Sequence, residues 1–150
     1  MKIVETESFL SVLCELAEQG ERVCTVVSGS SMVPFLASGR DYAYLEKPKR
    51  TPRKGDVVLF RRKNGDFVLH RIKKVKNSCY YLIGDRQYAV EGPVEKEQIC
   101  AMLTGIRRKG KEISDKSFFW FFFKIIWNNT VFMRPFLFRV FAFFRRKKKS

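Results

Sequence analysis

Apolar and polar positions along this chain fall into three textures. Between residues 8 and 19, Phe9, Val12, Leu13, Leu16 and Ala17 recur at helical spacing, and the pattern stops at Gly20, which can take the left-handed cap conformation. This predicts one short amphipathic helix. From residue 22 to 106 the apolar residues form short or alternating runs instead, at 23–27, 42–45, 57–60, 67–75, 79–83 and 99–106. Turn residues divide them: Ser38-Gly39, Lys54-Gly55-Asp56, Asn64-Gly65-Asp66 and Gly92-Pro93. Runs of this length and spacing predict a mainly β fold, an antiparallel β domain. Asn64-Gly65 predicts a hairpin turn with positive φ at both central positions, joining strand 57–62 to the next strand.

The third texture begins after Arg107-Arg108-Lys109-Gly110-Lys111, and eleven of the fifteen phenylalanines and both tryptophans lie between residues 118 and 144. A β domain of this size has little surface on which to bury so many rings, so a lipid interface is the expected host. As helices, 118–127 would cover about 15 Å and 131–144 about 21 Å, against a hydrocarbon core of about 30 Å. A single continuous span would bury Lys124, Asn128, Asn129, Arg134, Pro135 and Arg139 at a cost, and both flanks are basic. The expectation is an interfacial or re-entrant helix pair broken near Asn128-Asn129. Trp120, Trp127, Arg145, Arg146 and Lys147 are its expected membrane contacts. A spanning helix and a hairpin docked on the β domain remain open. The organisation is then an N-terminal helix (1–20), a β domain (21–111) and an aromatic, basic, membrane-associating helical segment (112–150). Cutting after Lys111 is expected to release a soluble protein.

Charge sharpens this picture. The 150 residues carry 30 Lys+Arg against 15 Asp+Glu, a formal net charge of +15, which points to an anionic partner without choosing between nucleic acid and a lipid surface. Cys14, Cys24, Cys79 and Cys100 are far apart with no CxxC pair, and with one histidine they make a poor zinc site. Buried free thiols in a reducing compartment are expected, with no metal and no cofactor. Met1-Lys2-Ile3-Val4-Glu5-Thr6-Glu7 has acidic residues where a secretory signal has basic and apolar regions. Attachment at the cytoplasmic face of the cell membrane is therefore expected.

The candidate chemistry lies in Ser28-Gly29-Ser30-Ser31-Met32-Val33-Pro34 and, about forty residues later, in Val68-Leu69-His70-Arg71-Ile72, which holds the only histidine. A serine on a tight turn and one imidazole titrating near neutrality are the minimum parts of a nucleophile and its base.

The order Gly29-x-Ser31-Met32-x-Pro34, then Phe35-Leu36, Gly39 and Asp41, resembles the nucleophile segment of the S24/S26 serine peptidases, which include signal peptidases and the self-cleaving repressors. Lys54-Gly55-Asp56-Val57-Val58-Leu59-Phe60 is similar to a strand start of those families, and Val68 to Ile72 resembles the segment bearing their general base. The base is a histidine here, the form found in archaeal, endoplasmic-reticulum and sporulation-type signal peptidases. Ile83-Gly84-Asp85 with Glu91 resembles the Gly-Asp motif and later acidic residue of that subgroup, and 94–105 its closing strand.

The resemblance implies a signal-peptidase-like β domain and a serine endopeptidase acting on leader-like peptides. Ser31 is the implied nucleophile, His70 its base and Asp85 the orienting acid, with Glu91 as the alternative acid. The oxyanion donors are expected from the Ser31 backbone N–H and a neighbour such as Ser30. Gly29 stands where some signal peptidases carry a serine. Met32, Val33, Pro34, Phe35 and Leu36 are candidates for a substrate groove, and equally for core. An extended peptide pairing with a β edge is the expected mode of recognition. Signal peptidases usually reach the membrane through an N-terminal span, whereas this chain offers a C-terminal aromatic segment. The alternatives are an inactive peptide- or membrane-binding module, or a repressor-like DNA-binding regulator. Fewer residues precede the first strand than a helix-turn-helix domain needs, so no specific nucleic acid is expected.

Overall fold

A computed structural model describes residues 2–149, with side chains described for residues 9–148. Helix α1 (Lys2–Glu18) leads into an antiparallel sheet of eight strands. These are β1 (Val23–Val26), β2 (Asp41–Glu46), β3 (Val57–Arg61), β4 (Phe67–Lys76), β5 (Cys79–Ile83), β6 (Glu91–Val94), β7 (Ile99–Arg108) and β8 (Lys111–Ser114). They lie in the order β1-β2-β7-β3-β4-β5-β6, and β8 pairs with β7. Helix α2 (Phe118–Phe121) continues as a π-helical stretch, Phe122–Trp127, and helix α3 (Arg134–Lys149) follows a short 3-10 turn.

The predicted runs become β1 to β5 and β7. The other two strands, Glu-Gly-Pro-Val and Lys-Glu-Ile-Ser, have no apolar alternation of their own and exist through their partners. Hairpin chemistry also falls elsewhere than expected. Two-residue turns with positive φ at both positions occur at Asn77-Ser78, between β4 and β5, and at Lys109-Gly110, between β7 and β8. Asn64-Gly65 belongs to a three-residue loop: Gly65 N–H donates to Arg62 O at 2.9 Å, Arg62 N–H to Asp66 O at 2.7 Å, and Gly65 alone has positive φ.

Strand alternation divides the apolar residues between two faces. Val57 and Leu59 join Leu13 and Ala17 of α1, Met32, Phe35 and Leu36, and residues of β2 and β7 in the main core. Val58, Phe60, Ile72, Tyr80, Leu82 and Val94 form a second cluster. Phe9, Val12 and Leu16 of α1 stay largely exposed, so only part of the expected helix face is used. Among the cysteines, Cys24 is exposed and the other three are half-buried, all free. Cys24 departs from the expected burial because its β1 neighbour Thr25 takes the inward position.

The aromatic segment differs most from expectation. Trp120 and Trp127, expected at a lipid surface, are 4% and 3% exposed, and Phe123 is 6% exposed. They are core residues. The host that the sequence did not reveal is Phe35, whose ring meets Phe119 at 5.4 Å, Trp120 at 5.2 Å and Phe123 at 5.1 Å. Burying each such ring contributes roughly 2–3 kcal/mol, which favours docking on the sheet over solvation. The outward residues are Phe118, Phe121, Ile125, Phe132, Phe136, Phe141 and Phe144. Arg145, Arg146 and Lys147 are exposed. Among the described residues, no helix is long and apolar enough to cross a membrane.

Candidate active site

The segment that carries Ser31 leaves β1 through Gly29, whose φ of +77° suits a residue without a Cβ. Val33 N–H then donates to Ser30 O at 3.2 Å and Leu36 N–H to Met32 O at 2.9 Å, so the residues after Ser31 form a compact turn. Met32, Phe35 and Leu36 are buried and fasten that turn to the main core, while Pro34 is half-buried. Asp41 fixes its far end, accepting from Ala37 N–H at 2.9 Å and from Arg108 at 2.6 and 3.0 Å. These donors hold the Asp41 carboxyl below its usual range against the opposing effect of burial.

Ser31 itself is half-buried and Ser30 exposed. The Ser31 carbonyl accepts a hydrogen bond from Arg86 N–H at 2.9 Å. It also rests on Gly84, where a Cβ would stand 2.6 Å from the Ser31 oxygen. Arg71 of β4 pairs with Ile83 of β5. The pairing ends there, with His70 the residue before Arg71 on β4 and Gly84 the residue after Ile83.

His70 is 2% exposed. Its Nδ1 is buried without a hydrogen-bond partner and lies 3.7 Å from Glu91 Oε1. Burial pushes the His70 pKa down to about 4, with Glu91 acting in the opposite direction. The imidazole is therefore neutral at physiological pH, well below the near-neutral titration that its residue type suggests. Glu91 in turn receives Arg62 through two hydrogen bonds, at 2.6 and 2.9 Å, which lower its pKa.

Asp85 occupies a different environment. Both its oxygens are taken by Arg71, Oδ1 by Nε and Oδ2 by Nη2, each at 2.8 Å. Arg71 completes its fork with Gly55 O at 2.9 Å and lies 4.6 Å from the Phe35 ring centroid. Neither partner is exposed to solvent. Of the two acidic residues singled out in the sequence, Glu91 lies against His70 and Asp85 is bound to Arg71.

A cavity of about 170 Å³ opens beside Ser31, lined by Thr25 to Gly29 and Met32 on one side and Phe67, Val68 and Leu69 on the other. Its walls are strand edges. β1 is bonded only to β2, and β4 meets β5 only from Arg71 onward, leaving 67–70 unpaired on that edge. Backbone N–H and C=O groups on both sides are thus available to an extended chain.

Side chains from the C-terminal segment brace the loop that supports Ser31. Trp127 Nε1 donates to Asp85 O at 2.8 Å, and Asn128 Nδ2 to Ile72 O at 3.0 Å. Arg134, fully buried, donates from Nη1 to Gly84 O at 2.9 Å and Gln87 O at 2.7 Å. Sequence reasoning named Trp127 as a membrane contact and placed Asn128 at the break, and Arg134 in the second helix, of an interfacial or re-entrant pair. The available signal was the cost of leaving a guanidinium and an asparagine within an apolar run. Arg62 and Arg71 were also missed, because surface-type residues reveal a buried carboxylate partner only once the strands are registered.

Among the described residues, no cluster of three or more His, Cys, Asp or Glu could hold a metal ion. A family model described as Peptidase S24-like matches residues 2–103. No curated protein and no solved structure matches the chain.

Proposed function

The chain belongs to the S24-like peptidase family, and from that premise we propose that it is a serine endopeptidase of signal-peptidase type with Ser31, His70 and Glu91 as its working groups. The observation that carries this reading is the 3.7 Å approach of Glu91 Oε1 to an otherwise unpartnered His70 Nδ1. A proton on Nδ1, directed at the carboxylate, leaves Nε2 with the lone pair that a general base needs. Ser31 Oγ attacks a peptide carbonyl as Nε2 takes its proton. The imidazolium formed is stabilised by Glu91 and returns the proton to the leaving amine, and water then repeats the cycle on the acyl-enzyme. Oxyanion donation falls to the Ser31 backbone N–H with Ser30 as neighbour. Asp85, committed to Arg71, positions the Gly84–Gln87 loop rather than the imidazole.

The substrate fits as an extended strand between the free edges of β1 and β4, with a side chain entering the cavity beside Met32. Leader-like peptides suit this groove, and the histidine form of the base favours the signal-peptidase type over the lysine-dependent repressors. Attachment to the cytoplasmic face of an anionic membrane belongs to the same proposal, supported by the outward phenylalanines and the basic residues 145–149.

A diverse peptide library incubated with the full chain tests the chemistry, with new termini read by mass spectrometry. Ser31→Ala should abolish cleavage and His70→Ala should lower it by about 10² to 10⁴-fold. Cleavage that persists unchanged in either variant removes that residue from the mechanism.

A further inference from the structure

Val33 and Pro34, just past Ser31, share a crevice of about 300 Å³ with Arg86 and with Phe138, Phe141, Ala142 and Arg145 of α3. Its walls are apolar carbon and two guanidiniums, and no acidic side chain lines it. Elsewhere the arginines near the site are matched: Arg50 to Asp56, Arg62 to Glu91, Arg71 to Asp85 and Arg108 to Asp41. The side chains of Arg86 and Arg145 have no hydrogen-bond or ion-pair partner among the described residues. Two unmatched guanidiniums over an apolar floor are complementary to an anion that carries hydrocarbon. Exposed Phe144 and the exposed basic residues Arg146, Lys147 and Lys148 follow on the same helix.

We propose that this crevice binds the headgroup phosphate of an anionic phospholipid between Arg86 and Arg145, with the start of an acyl chain along Phe138 and Phe141. The site rests on the membrane attachment proposed above and is independent of the cleavage chemistry. Its position has a consequence for that chemistry, because Arg86 N–H also holds the Ser31 carbonyl, at 2.9 Å. A bound headgroup therefore lies on the side chain of the residue whose backbone N–H supports Ser31, and sets the groove at the lipid surface.

Co-sedimentation of the full chain with phosphatidylcholine vesicles, with and without phosphatidylglycerol, tests the site. Arg86→Gln/Arg145→Gln is compared with Arg146→Gln/Lys148→Gln, which removes the same charge outside the crevice. The crevice pair should weaken binding to phosphatidylglycerol vesicles at least about tenfold more than the tail pair, as expected for bidentate phosphate contacts over diffuse attraction. Equal losses in the two pairs overturn the site. Release of the protein from vesicles by millimolar inorganic phosphate, at constant ionic strength, also overturns it, showing a free-phosphate site. Peptide cleavage assayed on the same samples separates the two readings. Crevice-dependent binding without Ser31-dependent cleavage sinks the peptidase and leaves the lipid site standing. Cleavage with crevice-independent binding does the reverse.

Discussion

The β domain and the aromatic segment after it satisfy their buried polar groups in different ways. Within the β domain the buried carboxylates are held by guanidiniums of the same domain, Asp85 by Arg71, Asp41 by Arg108 and Asp56 by Arg50. The segment from residue 118 lies outside the 2–103 family match; Lys124 reaches the Asp56 carboxylate at 3.4 Å, while the segment's buried polar side chains turn to main-chain carbonyls of the β domain. Trp127, Asn128 and Arg134 donate to Asp85, Ile72, Gly84 and Gln87, all within or beside the strands and loop that present His70 and support Ser31. The contrast teaches that this segment is no appendage. Its apolar face completes the main core, and its polar groups hold the site loop in place.

The most severe way to break the comparison is to cut after Lys111. This removes Phe119, Trp120 and Phe123 from around Phe35, at about 3–5 kcal/mol for each large buried aromatic, against a total stability of roughly 5–15 kcal/mol. Loss of a cooperative thermal transition is expected, in place of the soluble domain that the sequence suggests. A truncated protein that melts like the parent would make the segment an appendage after all. Next in size, Asp85→Asn leaves Arg71 charged and unpaired in the interior and should destabilise by about 3–5 kcal/mol. Glu91→Gln, at a half-exposed position, should leave the melting temperature within a few degrees and lower only cleavage. Denaturant titration and peptide assays on the two variants distinguish the binding acid from the orienting one.

Acid acts on the β domain through His70. Its folded pKa, about 4, lies below the ordinary value of 6.5, so the unfolded chain binds the extra proton between those values. Stability is retained above pH 6.5 and falls toward pH 4 by about 3 kcal/mol from this group. His70→Gln should remove that increment, as read by chemical denaturation across the range. The smallest effect is expected at the far end of α3. Deleting 146–150, of which Arg146, Lys147 and Lys148 are exposed, should change stability by less than about 0.5 kcal/mol while weakening binding to anionic vesicles.

Much of the β domain was legible because strand periodicity, turn residues and motif order reinforce one another. The runs that became β3, β4 and β5 are apolar or alternating in their own right. β6 and β8 were not legible, since their residues gain strand geometry only from Tyr80, Leu82 and β7. The choice between Asp85 and Glu91 also needed structure. Both follow plausible turns, and only the hold of Arg71 on Asp85 and the approach of Glu91 to His70 separate their surroundings. The aromatic segment misled for a related reason. Density of phenylalanine reports a need for an apolar host, and the host, Phe35 and its surroundings, is distant in sequence.

A chain with one histidine permits the most direct test, long-range ¹⁵N–¹H spectroscopy of the imidazole across a pH series in the parent, Ser31→Ala and Glu91→Gln proteins. The account predicts a neutral ring protonated on Nδ1 down to about pH 4, an Nε2 resonance that shifts when the Ser31 hydroxyl is removed, and loss of the Nδ1–H tautomer when Glu91 is neutralised. A ring that titrates near 6.5, or one whose Nε2 resonance is indifferent to Ser31, contradicts it.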